Sequence, residues 1–499
     1  MHKTKEFFRR EETKRTMEHQ IKLLPGIPDD DNREYLPMKL KESEIVVNEN
    51  GNNSQVYPAN LKEMKECLID ENEDTWYEYV PDSYDPLKKT PLVFSMHGGI
   101  MTGWAQCIYT SWSHVADREG FIVVYPNAHS RRFWQIMCER RLFAQLSEYN
   151  DEGIYMHDFP DDISENNDVR IVFKLLEKMK DKYNIDDERV YMQGMSLGNA
   201  MTSMMARYYG NHFAAMAGSA GPSTIGLLFD ENDNPVNAGG PLPAWQARME
   251  FDQAPPGSTE SVEDVVAKNR EYWLRINECD ELPQIKIDGE NNFAFYKGKK
   301  ADYVFRDVKN RDHGQTFDEA ELVWDYLFSG TKRKADGTTE YIKPNMERTG
   351  DAVSLAAAPD CGYAWVNNKK VRLPGKSMMW NKLKYHGLRG GAIVRGSYCM
   401  IPASFAAECI GADYVEKDGH GVITSKDGIQ IQIARGCVGC TVNNKVKSML
   451  CEPIERNGML YISLEWFCKD ICRMHVSTCS DVIYATDHYS VLSVNMARL

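Results

Sequence analysis

From Thr75 the chain alternates as a strand does, through Trp76, Tyr77, Glu78, Tyr79 and Val80. A turn from Pro81 to Pro86 follows, then the short apolar run Pro91 to Met96. Helical spacing over Ser111 to Glu119 leads to the strand Phe121 to Tyr125, which Pro126 stops. Asp168 to Tyr183 reads as a helix with Val169, Ile171, Val172, Leu175, Leu176 and Met179 on one stripe, and Asp168 as its N-cap. Val190 to Gln193 is then a strand, Leu197 to Tyr209 a helix and Phe213 to Gly218 a strand. Pro243 to Arg248 and Ala301 to Val308 are further strand candidates, and Phe317 to Phe328 closes the pattern as a helix. Alternating strands and helices predict a mostly parallel sheet with helices on both faces.

This pattern divides the chain. Residues 1–74 are a charged extension, 75–330 the α/β domain, and 331–352 a linker rich in Lys, Arg, Gly, Asp and Thr. Residues 353–499 form a smaller α+β domain with an internal repeat. Trp365-Val366-Asn367-Asn368-Lys369 is echoed by Thr441-Val442-Asn443-Asn444-Lys445, and Ile401 to Glu408 by Ile462 to Lys469, in the same order.

Composition is ordinary for a globular protein: of 499 residues, 42% are hydrophobic and 26% charged. The net charge of −14 argues against nucleic acid and anionic membranes as partners. Met1 to Arg15 mixes basic residues with Glu6, Glu11 and Glu12, and no apolar run follows before Pro25, so neither a signal peptide nor a transmembrane segment is read. The expected location is cytoplasmic as written, or secreted or cell-surface if a leader had been removed. Nine of the 13 cysteines fall between Cys361 and Cys479. Reduced thiols are the expectation without a secretion signal. Cys437, Cys440, Cys468 and Cys472 do not show four convergent ligands, because the repeat register sets Cys472 against Gly411; no metal or other cofactor is expected.

The chemistry concentrates at Gly194-Met195-Ser196-Leu197-Gly198, directly after one strand and directly before a helix. That is the context of a nucleophile elbow, in which a serine is exposed on a strained turn at a helix N-terminus. With it the fold class becomes an α/β-hydrolase sheet. A serine hydroxyl needs an imidazole base, and His313, in a loop before the last helix of the domain, is the best placed of the later histidines. The orienting acid is expected on a loop after a strand, where Asp252 fits and Glu250 competes. Oxyanion donors are expected from the N–H of Leu197 and from Gly99 or Ile100, which follow His97-Gly98. Trp104 and Trp134 are candidate pocket aromatics, with a core role as the alternative.

Residues 75–330 resemble the polyhydroxybutyrate-depolymerase-like and feruloyl-esterase-like group of α/β-hydrolases. The likeness runs through Pro91 to Gly99, Arg118-Glu119-Gly120-Phe121 to Pro126, Ile185 to Tyr191 leading into the elbow, Phe213-Ala214-Ala215, and Trp273 and Asn277 ahead of Pro283. The resemblance implies a serine carboxylic ester hydrolase with the triad Ser196, Asp252 and His313, acting on hydroxycinnamoyl, short acyl or hydroxyalkanoate esters, small or polymeric. The chain departs from that group at Asn199, where a small residue is usual, and over Gln246 to Met249. The C-terminal repeat resembles the copper amine oxidase N-terminal-like domain, often an accessory module in anaerobic bacteria, and implies no bound metal. Two readings compete with the esterase: a serine peptidase on the same fold, and a non-catalytic binding or scaffold protein. Oligomeric state is left open.

Overall fold

The computed structural model describes residues 58–99, 101–129, 132–138, 156–255, 258–386, 391–426 and 428–499. Of the expected N-terminal extension 1–74, residues 1–57 lie outside them, as does Ile100, whereas Leu61–Glu66 is no loose extension but a strand paired with Asp74–Tyr79 at the edge of the sheet. Two compact units are present: residues 296–348 join everything up to 281 in the first, and 282–295 join 349–499 in the second.

The first unit is built on a sheet in the order β1 (Leu61–Glu66), β2 (Asp74–Tyr79), β4 (Ile122–Pro126), β3 (Thr90–Met96), β5 (Ile185–Met195), β6 (Ala215–Ser219), β7 (Ala244–Met249) and β10 (Tyr303–Val308). The chain numbers β8 (Gln284–Asp288) and β9 (Asn291–Tyr296), a hairpin, between β7 and β10. β2 is antiparallel to β1 and β4, whereas every pair from β4 through β3, β5, β6 and β7 to β10 is parallel. This is the α/β-hydrolase sheet. β3, β4 and β6 are buried at every position, as strands covered on both faces must be, and their runs are mostly apolar, broken only by Thr90, Ser95 and Ser219.

Helices α1 (Gly103–Tyr109), α2 (Trp112–Glu119), α3 (Asn167–Lys182), α4 (Leu197–Tyr209), α5 (Val262–Asn277) and α6 (Glu319–Tyr326) connect the strands. The stripe Val169, Ile171, Val172, Leu175, Leu176 and Met179 of α3 is buried as its spacing predicts. Each of these side chains contributes about 1.5–3 kcal/mol on burial. The N-cap of α3, however, is Asn166, whose side chain accepts from Val169 N at 3.0 Å. Asp168 lies inside the first turn, and its buried carboxyl, raised to about 6 by burial, accepts from His129 N at 2.8 Å and Gln135 N at 2.5 Å. A carboxylate two residues into a helix thus serves a neighbouring loop. Residues 331–352, read from composition as linker, instead carry the hairpin β11 (Thr331–Arg333) and β12 (Thr339–Tyr341). Arg333 is buried there, with Nε donating to Phe213 O at 2.8 Å, so a charged residue is part of the first unit's packing.

In the second unit the hairpin β8–β9 is held by Asn368 Oδ1, which accepts from Ile285 N at 2.7 Å. The repeat itself runs from β13 (Ser354–Ala357) through β14 (Tyr363–Val366), β15 (Lys369–Arg372), β16 (Met378–His386), β17 (Gly391–Pro402), β18 (Asp413–Lys417) and β19 (His420–Thr424). Its second copy is β20 (Gln430–Ala434), β21 (Gly439–Val442), β22 (Lys445–Ser448), β23 (Ile454–Arg456), β24 (Met459–Ser463), β25 (His475–Cys479) and β26 (Val482–Thr486). The echoed Asn-Asn pairs form matching hairpin turns, with φ of 48° and 60° at Asn367 and Asn368 and of 51° and 61° at Asn443 and Asn444.

The two copies are interlaced. One sheet runs β15-β14-β13-β26-β25 and another β18-β19-β20-β21-β22, so each takes three strands from one copy and two from the other. Between them β16-β17-β24-β23 form a sheet in which Ile401 faces its own repeat equivalent, Ile462. The core draws on both copies, including Phe405, Ala406, Trp466, Phe467 and Cys468. Neither copy has a closed core without the other. Strands dominate this unit more than an α+β expectation suggests, with helix confined to short segments such as Ala403–Cys409 and Leu464–Trp466. Among the described residues no disulfide joins two cysteines, and no three His, Cys, Asp or Glu side chains gather as metal ligands. No helix among the described residues is long and apolar enough to cross a membrane.

Candidate active site

β5 ends and α4 begins at Ser196, whose φ of 57° and ψ of −120° are a strained conformation for a residue with a side chain. The turn is tight because both flanking glycines are in close contact with backbone. A Cβ on Gly194 would stand 2.1 Å from Gly198 O, and one on Gly198 2.3 Å from Met96 O. Ser196 N donates to Ser219 O at 2.9 Å, which ties the turn to the end of β6. The hydroxyl is thereby directed outward at the start of a helix.

The loops after β7 and β10 meet over this turn, joined by Phe251 N donating to Arg311 O at 2.9 Å. They carry Asp252 and His313. His313 Nε2 lies 2.8 Å from Ser196 Oγ, and His313 Nδ1 lies 2.6 Å from Asp252 Oδ1. A carboxylate can only accept, so Nδ1 carries the proton and Nε2 presents its lone pair to the serine hydroxyl. The Asp252 side chain is fully buried, accepts from Met249 N at 3.2 Å, and is backed by Arg248, whose Nη2 donates to Asp252 O at 2.5 Å. His313, by contrast, is half exposed.

Glu250 is directed elsewhere. Its carboxylate accepts from Lys309 Nζ and, at 2.7 Å, from Asn310 N. Burial acts to raise the Glu250 carboxyl, but Lys309 and the Asn310 N–H outweigh it and hold the group below its ordinary value. Of the two carboxylates, only Asp252 meets the imidazole.

Leu197 is the first residue of α4, so its N–H has no intrahelical partner. Gly99 lies directly against it, since a Cβ there would stand 2.6 Å from Leu197 Cδ1. The loop is fixed by His97, which is fully buried and whose imidazole burial brings down to about 4. Ala128 N donates to His97 Nε2 at 3.0 Å, which leaves Nδ1 to donate to Gly98 O at 2.7 Å. Ile100, the other donor expected here, is outside the described residues.

The two tryptophans expected in the pocket stand away from it. Trp134 is buried, donates from Nε1 to His97 O at 2.7 Å and packs on the His97 ring at 4.6 Å, so it braces the glycine loop. Trp104, on α1, is 40% exposed and lines no part of the cavity. The cavity beside Ser196 and His313, about 510 Å³, is lined by Ile136, Met137, Leu227, Phe251 and Pro255 among others, and by Arg207. Phe251 is a cavity residue whose signal in the sequence is slight, an apolar ring one residue before the acid. Arg207 carries no such signal, because a basic residue in the last turn of a helix is ordinary in sequence and only its burial sets it apart.

Asn199, the departure noted from the resembling group, is accommodated by Gly218. Its Nδ2 donates to Ala220 O at 2.5 Å and Gly221 O at 3.1 Å, fastening the loop that lines the cavity.

Residues 76–238 match the model of the family described as Esterase PHB depolymerase. The chain is 31% identical over 158 residues to a bifunctional acetylxylan esterase/xylanase of Neocallimastix patriciarum, which covers 32% of this chain and 19% of that one. It is 30% identical over 146 residues to poly(3-hydroxyalkanoate) depolymerase C of Paucimonas lemoignei, covering 29% and 30%. The chain thus spans less than a third of the length of either relative. A solved acetyl xylan esterase from Aspergillus awamori is 16% identical, covers 53% of this chain and 97% of that one, and superposes with a TM-score of 0.39.

Proposed function

We propose that the first unit is a serine carboxylic ester hydrolase that works through an acyl-enzyme. The observation that carries this reading is the unbroken chain Ser196 Oγ, His313 Nε2, His313 Nδ1, Asp252 Oδ1, with links of 2.8 and 2.6 Å. The similarity to an acetylxylan esterase and to a polyhydroxyalkanoate depolymerase supports ester substrates with short acyl or hydroxyalkanoate groups.

In this reading Ser196 Oγ attacks the acyl carbon as its proton passes to His313 Nε2. Asp252 holds the ring in the required tautomer and stabilises the imidazolium. The oxyanion is met by the N–H of Leu197 and by an N–H at Gly99 or Ile100. His313 then returns the proton to the departing alkoxide, the C–O bond breaks, and a water activated by the same nitrogen releases the acid. The second unit is read as an accessory repeat module resembling the copper amine oxidase N-terminal-like domain; the interlaced, pseudo-symmetric copies support its being a repeat.

Hydrolysis of 4-nitrophenyl acetate and labelling by a fluorophosphonate test the proposal. Ser196→Ala is expected to lower kcat by at least ~10³-fold and to abolish labelling with the fold retained. A wild-type chain that neither labels nor turns over the ester overturns it. Faster cleavage of aminoacyl-anilides than of aryl esters replaces it with a peptidase.

A further inference from the structure

Arg207 sits on α4 eleven residues after Ser196, on the face that also presents Ala200 to the cavity. From Ala200 to Arg207 the helix rises roughly 10 Å, and helical side chains lean back toward the N-terminus, here toward the serine. The residue is 2% exposed. Its Nη1 donates to Leu227 O, another cavity residue, while its Nε has no hydrogen-bond partner among the described residues. Among the described residues no carboxylate forms an ion pair with it. The guanidinium lies 5.6 Å from the Tyr208 ring, and the groups that favour its charge are the phenols of Tyr272 and Tyr208. Burial outweighs them and draws the group below its ordinary value.

A buried guanidinium is costly without an anion, and its planar fork matches a carboxylate in two parallel hydrogen bonds. The remaining wall around it is mostly apolar: Leu227, Ile136, Met137 and Pro222. Such a wall suits a hydrocarbon chain that ends in a charge. The direction of the chain follows from His313. The departing alcohol must stand beside His313, which is 49% exposed at the mouth, so the buried end near Arg207 is left to the acyl arm.

We infer that this cavity selects esters whose acyl group ends in a free carboxylate, held by Arg207 several bonds from the scissile carbonyl. The inference rests on the esterase reading and names its substrate class: monoesters of dicarboxylic acids.

The test compares kcat/KM for mono-4-nitrophenyl adipate with that for 4-nitrophenyl hexanoate, using 4-nitrophenyl acetate as reference. The adipate monoester is expected to be preferred roughly tenfold or more, with the preference lost in Arg207→Met and partly kept in Arg207→Lys. The ratio between the two esters separates charge recognition from general damage to the fold, and the wild-type comparison needs no variant. Acetate turnover with equal or better use of hexanoate overturns the inference while leaving the esterase reading intact. If no ester is cleaved, the esterase reading fails, and calorimetry with adipate against 1,6-hexanediol decides whether Arg207 holds an anion: binding of adipate alone retains the anion site, and absence of that difference removes it.

Discussion

A Cβ on Gly218 would stand 1.9 Å from Oδ1 of Asn199, so the side chain that fastens the loop at Ala220 and Gly221 occupies space a glycine leaves open. The two residues are a matched pair on β6 and α4. The bulk at Asn199 is tolerated beside the elbow because its neighbour on β6 has no side chain.

That pairing predicts non-additive stability. Asn199→Ala removes two hydrogen bonds, one to the buried carbonyl of Ala220 and one to the part-buried carbonyl of Gly221, and is expected to cost about 1–2 kcal/mol. Gly218→Ala forces the amide aside and is expected to cost about 1–3 kcal/mol. In the double variant the added methyl meets an alanine, so its cost should fall at least about 0.5 kcal/mol short of the sum. Urea denaturation of the three variants measures this, and strict additivity contradicts it.

Asp252 and Glu250 are separated by function in a way kinetics can read. Asp252→Asn is expected to reduce kcat on an aryl ester by about 10²–10⁴-fold, because an amide can no longer impose the tautomer that presents a lone pair to Ser196. Glu250→Gln loosens only the contact with Lys309 and Asn310 and should change kcat less than about threefold. A larger effect at Glu250 than at Asp252 reverses the assignment.

His97 ties the stability of the glycine loop to pH. Its folded value near 4 lies below the ordinary 6.5, so the unfolded chain binds the proton more readily and stability falls as pH drops. Above pH 6.5 both states are neutral and the group contributes nothing. Between 6.5 and 4 the loss accumulates, to about 2–3 kcal/mol at pH 4.5. His97→Gln keeps one acceptor for Ala128 N and one donor for Gly98 O without titrating. Denaturant midpoints at pH 7.5 and 4.5 should therefore differ less in the variant than in the wild type. Equal acid sensitivity in both proteins contradicts the account.

The elements around the elbow were legible in the chain because each rests on local physics. A glycine-flanked serine between a buried strand and a helix permits little besides a tight turn, and the stripe on α3 declares its buried face by spacing alone. The echoed Asn-Asn pairs likewise carry their own turn geometry. What the chain could not declare are meetings between segments far apart in sequence. Asp252 and Glu250 have the same chemistry two positions apart, and only the crossing of two loops decides which carboxylate faces His313 and which is taken by Lys309. Trp134 braces the glycine loop and Arg207 lines the cavity for the same reason: an aromatic side chain is equally at home in a core, and a buried charge is recognised only once its surroundings are known. The interlacing of the repeat copies is a further case, since a strand's sequence sets which of its faces is apolar but not which partner covers its edge.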